Sequence, residues 1–104
     1  MTFSFHPEAR EEAFEAAAYY EGCQPGLGAQ FTEEVNATIA RILRYPRAWP
    51  KVSTPARRCL MNRFPYGIVY RLKPGEMRIY AVAHLSRLPG YWKHRVSNEG
   101  QVFP

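Results

Sequence analysis

Residues 27–43, LGAQFTEEVNATIARIL, carry the strongest structural signal in the chain, because apolar side chains recur there at helical spacing over about four turns. The residues of this apolar stripe are Leu27, Phe31, Val35, Ile39, Ile42 and Leu43. A helix with one apolar face needs to bury that face, so we expect the stripe to pack on a sheet and to be a main source of stability. Tyr45-Pro46 ends the predicted helix, because a residue that precedes proline is disfavoured in the helical conformation.

Another predicted helix lies upstream of this one. It begins at His6-Pro7-Glu8, where proline suits the first helical position, and it ends at Gly22. Acidic residues near its start, which complement the positive end of the helix dipole, are Glu8, Glu11 and Glu12. The short Gly/Pro turn at residues 23–26 makes the two helices an antiparallel hairpin. Ahead of the hairpin, Thr2 to Phe5 predicts a first strand, with Phe3 and Phe5 on one side.

Three closely spaced strands are predicted downstream, after a proline-rich loop from Arg47 to Pro55 that contains Trp49. The predicted strands are Arg57–Arg63, Tyr66–Leu72 and Met77–His84. The last of them, MRIYAVAH, is apolar almost throughout, which favours a central place in the sheet. We expect Leu85 to His94 to be irregular or helical, and residues 96–104 to form a flexible tail.

The order of these elements predicts a single α+β domain over residues 1–104, with a helical hairpin packed on a small, mostly antiparallel sheet. No apolar run approaches the ~20 residues that span a membrane, and the N-terminal residues lack the pattern of a signal peptide. We therefore expect a cytoplasmic protein without a membrane partner. Cys23 and Cys59 lack the spacing of a metal site and are interpreted as free thiols. Nothing else in the sequence implies a metal or a cofactor.

Charge is distributed unevenly along the chain. Residues 1–34 hold seven Glu and one Arg, a net charge of −6, whereas residues 35–104 hold thirteen Lys or Arg and two Glu, a net charge of +11. This division predicts an acidic face and a basic face, and the basic face could bind nucleic acid or an acidic protein. The alternative is that the cations merely keep the surface hydrated.

The closing segment, Ala81 to Arg95, contains the candidate functional side chains. A strand that ends in His84 and continues into Arg87 and Tyr91 places three polar side chains at one edge of the sheet. The structural alternatives are a hydrogen-bonded His84, an Arg87 paired with a carboxylate, and an aromatic cap made by Tyr91 and Trp92. Further cations that could bind a target are Arg57, Arg58, Arg63, Arg78, Lys93 and Arg95.

The element order, the charge division and the closing segment together resemble the RelE/ParE superfamily of bacterial toxins over about residues 3–95. The matching segments are FHPEAREEAFEAAAYYE (5–21), PGLGAQFTEEVNATIARILRYP (25–46), RRCLMNRFPYGIVYRL (57–72) and AVAHLSRLPGYWKHR (81–95). The resemblance implies a toxin of a type II toxin–antitoxin module, of the plasmid-stabilisation type, which a small antitoxin encoded beside it holds inactive.

Two activities occur in that superfamily. RelE-like toxins cut mRNA on the ribosome without a metal, and for this branch the resemblance implies catalytic roles for His84, Arg87 and Tyr91. ParE-like toxins bind DNA gyrase and cause growth arrest without nuclease chemistry. Here Gly67 follows Tyr66 where RelE-like enzymes have a basic residue, and the strand from Arg57 lacks their lysines. The resemblance therefore favours a ParE-like gyrase inhibitor, with an mRNA interferase as the alternative and a non-toxic basic binding module as a third possibility.

An antitoxin of this kind is expected to supply an amphipathic or extended acidic segment that lies in a groove of the toxin. The candidate grooves are the surface between the helical hairpin and the sheet, and the basic rim near Arg63, Arg78 and Arg87. We expect formation of that complex to be faster at low salt, and Arg87 to be shielded within it.

Overall fold

A computed structural model, which describes residues 1–99, has the α+β architecture that the sequence predicts. Its elements are β1 (Thr2–Phe5), α1 (Pro7–Cys23), α2 (Leu27–Arg44), β2 (Lys51–Ser53), β3 (Ala56–Leu60), β4 (Tyr66–Lys73), β5 (Glu76–His84) and α3 (Lys93–Glu99). The strands form one sheet in the order β1-β5-β4-β3-β2. β1 pairs with β5 in parallel and the other neighbours pair antiparallel, so the sheet is mostly antiparallel and β5 lies inside it.

The hairpin of α1 and α2 packs on one face of the sheet and forms the larger core. Phe31 is fully buried at its centre, with its ring against those of Tyr20, Phe64 and Tyr66 at centroid distances of 5.0–5.4 Å. The other buried α2 residues of the predicted stripe are Val35, Ile39 and Ile42. The stripe therefore forms the interface with the sheet, as its spacing predicts.

The two helices approach closely at Gly28. A β-carbon placed there would lie 2.6 Å from the carbonyl oxygen of Ala17, so a larger residue cannot fit without separating the helices. The side chain of Glu21 accepts hydrogen bonds from the amides of Gly26 and Gly28 at 3.0–3.1 Å, and it thereby caps the start of α2 from the end of α1.

A second, smaller core lies on the opposite face of the sheet. Trp92 and the partly buried Tyr91 and Val96 cover small side chains of the strands there, and these are Ala56, Val69, Ala81 and Ala83. The segment that follows β5 therefore folds back over the face that the helical hairpin leaves open.

Several boundaries differ from the sequence prediction. Residues 51–53, predicted within a loop, form β2 because Lys51 and Ser53 pair with β3. The predicted strand Arg57–Arg63 ends at Leu60, because the carboxylate of Glu34 accepts hydrogen bonds from the amides of Asn62 and Arg63 and holds them in a turn. The first helix continues through the predicted end, Gly22, as far as Cys23.

The C-terminal segment is helical where a flexible tail was predicted, over residues 96–99. Glu99 forms a salt bridge with Arg78 of β5, and this contact holds the end of α3 against the sheet. The rest of the predicted tail, residues 100–104, lies outside the described residues.

Candidate functional site

A cleft opens on the sheet face opposite the helical hairpin, and we call it the sheet-face cleft. It has a volume of about 310 Å³. Its floor is apolar and includes Val69, Ala83 and Trp92, and its rim carries three cations. The lining residues are Val52, Arg58, Val69, Ala83, His84, Leu85, Arg87, Leu88, Pro89, Gly90, Tyr91, Trp92 and Lys93. Leu88 at the mouth is 79 % exposed, so apolar surface continues outward from the floor.

Local hydrogen bonds fix the loop that forms one wall of this cleft. The amide of Ser86 donates to Nδ1 of His84 at 3.0 Å, and the Ser86 hydroxyl lies 2.7 Å from the same atom. The amide of Arg87 donates to the carbonyl of His84, which closes a turn directly after β5. Gly90 has a positive φ of 76°, a conformation that L side chains rarely adopt, and it redirects the chain into α3. The loop is therefore a shaped turn, and it presents Arg87 at the rim.

Tyr91 is anchored from the hairpin side of the protein. Its hydroxyl donates a 2.7 Å hydrogen bond to Oε2 of Glu12 in α1. Burial, together with this bond to the Glu12 carboxylate, raises the pKa of Tyr91 well above its usual value. The guanidinium of Arg87 lies over the Tyr91 ring, 3.9 Å from its centroid, in a cation–π contact. The three predicted catalytic side chains, His84, Arg87 and Tyr91, are therefore close together around one loop, but Tyr91 is poorly suited to accept or release a proton.

Three of the predicted target-binding cations make internal contacts. Arg57 donates to the carbonyls of Arg47 and Trp49 at 3.2 and 2.8 Å, which holds the loop before β2. Arg78 makes two hydrogen bonds to the carboxylate of Glu99, at 3.1 and 2.5 Å. Arg95, only 5 % exposed, pairs with carboxylates of α1 and donates to the carbonyl of Tyr80 at 2.9 Å. Their contacts thus hold the fold together.

The remaining predicted cations lie on the surface. Arg63 donates to the side chain of Gln30 at 2.7 Å, and it does not line the cleft. Arg58, Arg87 and Lys93 surround the cleft, and none of the three has a carboxylate within 4.0 Å among residues 1–99. The cleft therefore combines an apolar floor with three positive charges that no described carboxylate neutralises, an arrangement that suits an anionic, partly apolar ligand.

A further groove lies on the hairpin side, beside the edge strand β1. It has a volume of about 360 Å³, and it is lined by Phe5, Arg10, Ala13, Phe14, Thr32, Val35 and Asn36. This groove corresponds to the predicted surface between hairpin and sheet. Since Phe5, Ala13 and Phe14 lie at least partly open to solvent, it is a second place where a partner segment could bind.

Cys23 and Cys59 do not form a disulfide. Cys23 is exposed and Cys59 is buried, both are free thiols, and burial raises the pKa of the Cys59 thiol. Within residues 1–99, no three His, Cys, Asp or Glu side chains come together in a way that could hold a metal ion. No helix in the same range has an apolar stretch long enough to cross a membrane.

Sequence reasoning did not identify Glu12 as a site residue. It placed this glutamate with Glu8 and Glu11 as a partner of the helix dipole, yet the side chain reaches across to β5, Tyr91 and Arg95. The partners lie 70–83 residues further along the chain, so no local pattern could have revealed them. The only feature of the sequence that could have indicated a different role is the position of Glu12 in the helix, one turn beyond the first-turn residue Glu8.

The chain therefore forms a small α+β domain that carries the basic sheet-face cleft on one face of its sheet. Its architecture matches that of a chain in a solved structure described as "Chromosomal ParDE TA system from P. aeruginosa", with a TM-score of 0.71. The match covers 81 % of this chain and 95 % of that chain at 15 % sequence identity, so it confirms the RelE/ParE resemblance at the level of the fold. No protein-family model and no curated protein matches the sequence.

Proposed function

We propose that this chain is the toxin of a type II toxin–antitoxin module, and that it arrests growth by binding a protein target, DNA gyrase, in the bacterial cytoplasm. The fold shared with a chain of a ParDE toxin–antitoxin system supports the first part of this proposal. The sheet-face cleft supports the second, and it is the observation that carries the proposal. An apolar floor bordered by Arg58, Arg87 and Lys93 suits recognition of an anionic protein surface.

The hydrogen bonding of the loop argues against RNA cleavage. A nuclease that works without a metal needs side chains that can exchange protons with the reacting oxygens. The hydroxyl of Tyr91 already donates to Glu12, and Nδ1 of His84 is engaged by Ser86. The Arg87 guanidinium rests on the ring of Tyr91. This arrangement supports binding better than proton transfer.

The antitoxin that we infer is an acidic amphipathic segment that covers the sheet-face cleft. Its apolar side chains would pack on Val52, Leu85 and Leu88, the exposed apolar residues of the cleft, and its carboxylates would pair with the three cations of the rim. Antitoxin and target would then compete for the same cations, so antitoxin binding alone would neutralise the toxin. Arg87 is expected to lose solvent exposure in that complex.

The test is a short pulse of expression in a bacterial host without antitoxin, followed by a growth measurement and a map of RNA 5′ ends. We expect growth arrest without new ends inside translated codons, and inhibition of DNA supercoiling by gyrase in the presence of the purified protein. Arg87→Ala should relieve the arrest. The matched control Arg47→Ala, which removes the same charge from an exposed loop position outside the cleft, should not.

Two results would overturn the proposal. New RNA ends inside codons that disappear in Arg87→Ala would establish an mRNA interferase instead. Unimpaired growth at a normal protein level would indicate a non-toxic basic binding module.

A further inference from the structure

Glu12 lies beside the part of β5 that extends beyond the end of β1 and so has no neighbouring strand on that side. β1 pairs with β5 only as far as Ile79, which leaves the backbone of residues 80–84 open on that side. Oε1 of Glu12 accepts a 3.0 Å hydrogen bond from the amide of Val82, and Arg95 donates to the carbonyl of Tyr80 at 2.9 Å. The ion pair of these two side chains thus replaces the missing strand, because it satisfies backbone groups that a sheet neighbour would otherwise satisfy.

The second oxygen of the same carboxylate faces the loop of the cleft. Oε2 accepts from the hydroxyl of Tyr91 at 2.7 Å and from Arg95 at 3.1 Å. The ring of Tyr91 then contacts two guanidinium groups, with Arg87 at 3.9 Å and Arg95 at 5.2 Å from its centroid. A continuous set of contacts therefore leads from α1, through Glu12 and Tyr91, to the cation at the rim.

We propose that Glu12 is a positioning residue of the sheet-face cleft, which holds the ring of Tyr91 and through that ring fixes the guanidinium of Arg87 at the rim. Its importance for target binding rests on the proposed function, whereas its effect on the position of Arg87 does not. The Glu12–Tyr91 bond is separate from the closure of the sheet edge, which Oε1 and Arg95 achieve without Tyr91. The closure of the β5 edge and the orientation of Arg87 can therefore be tested separately.

Tyr91→Phe separates them, because it removes the hydroxyl and keeps the ring and the Glu12–Arg95 pair. Glu12→Gln removes the charge, and Glu11→Gln is the matched control, an exposed glutamate in the same helix. The measurement is the NMR chemical shift of the Arg87 side-chain protons, which the ring current of Tyr91 displaces upfield while the two groups are stacked. This displacement reports the position of Arg87 directly, and a role in stability alone would not change it.

We expect both Tyr91→Phe and Glu12→Gln to lose most of the upfield displacement, and Glu11→Gln to retain it. An unchanged displacement in Tyr91→Phe would overturn the proposal, and this variant decides the matter if Glu12→Gln does not fold. Growth arrest is measured in parallel on the same variants. If Arg87 moves while arrest by Tyr91→Phe stays at the wild-type level, the positioning role stands and the proposed use of Arg87 in target binding fails.

Discussion

Arginines that look equivalent in the sequence differ in this protein by their partners. Arg78 and Arg95 bind carboxylates and backbone carbonyls, and they fasten α3 to the rest of the fold. Arg87 contacts the face of an aromatic ring and keeps its hydrogen-bond donors at the rim of the cleft. Removal of a buried, paired charge leaves its partner without compensation, whereas removal of a surface cation does not. Effects on stability and effects on binding should therefore separate along this division.

Phe31→Ala tests the importance of the aromatic cluster at the centre of the larger core. Loss of a fully buried ring leaves a cavity, so we expect the free energy of unfolding to fall by about 3–5 kcal/mol, measured by urea denaturation. Phe14→Ala is the matched control, because this ring is 63 % exposed and its loss should change stability by no more than about 0.5 kcal/mol. Equal stability losses in the two variants would contradict the packing described here.

The candidate site could be predicted from the sequence in part. His84, Arg87 and Tyr91 lie within eight residues of one another, so their proximity follows from a single loop after a strand. Which cations remain unpaired depends on contacts between distant segments, such as that between Arg78 and Glu99 on α3. Charge patterns along a chain carry no information on such pairs. The sequence therefore could not distinguish Arg58, which lies at the cleft, from Arg95, which is paired with Glu12, and both were predicted to bind a target.

At the level of elements, the hairpin depends on close contact between its helices. Gly28→Ala should destabilise the protein by about 1–3 kcal/mol, because the new methyl group would overlap the carbonyl oxygen of Ala17. Gly22→Ala is the matched control within the preceding helix. Nothing lies within 4 Å of its added carbon, and the loss of backbone freedom in the unfolded chain should stabilise the protein by about 0.5 kcal/mol. Thermal unfolding of both variants measures the difference, and a neutral Gly28→Ala would show that the helices can separate freely.

The attachment of α3 should depend on pH through Glu99. Hydrogen bonding from Arg78 holds the pKa of the Glu99 carboxyl below its usual value of 4.5, so the unfolded chain binds this proton more tightly than the folded one. Stability contributed by the pair is thus fully present above pH 4.5 and is lost as the pH falls through the lower, folded value.

Comparison of the wild-type protein with Glu99→Gln checks this, because the other carboxylates are common to both. We expect the wild-type protein to be more stable at neutral pH, and the difference in the free energy of unfolding to shrink steadily below pH 4.5. A difference that stays constant down to strongly acidic pH would show that the carboxylate charge contributes nothing to this contact.

Elements with a long periodic pattern were predicted well, and short ones were not. The stripe of α2 extends over several turns, and the apolar run of β5 fills a whole strand, so both are visible in the sequence. β2 has three residues in a proline-rich segment, and it forms because Lys51 and Ser53 pair with β3, not because of its own composition. The helical residues 96–99 are likewise stabilised by tertiary contacts, the salt bridge of Glu99 foremost.

For the whole molecule, the uneven charge predicts how fast the proposed antitoxin binds. The rate constant for association should fall at least about tenfold from low to high salt, because the cations of the cleft attract an acidic partner over about a Debye length. Arg87→Ala should weaken this salt dependence more than Arg47→Ala, although both variants lose one charge. The measurement is stopped-flow fluorescence with purified partners, and equal slopes for the two variants would mean that net charge, not the cleft, steers the encounter.

The pairing of β1 with β5 determines when the protein can fold during its synthesis. The first strand of the chain has no place in the sheet until residues 76–79 are available, and the open end of β5 is closed only when Arg95 arrives. A ribosome must therefore synthesise the chain as far as Arg95 before the fold can close. The wall of the sheet-face cleft forms from residues that follow β5 and are synthesised after every strand of the sheet. Under the proposed function, a nascent chain is thus harmless until Arg95 has left the ribosome, and a neutralising partner is needed only from that point.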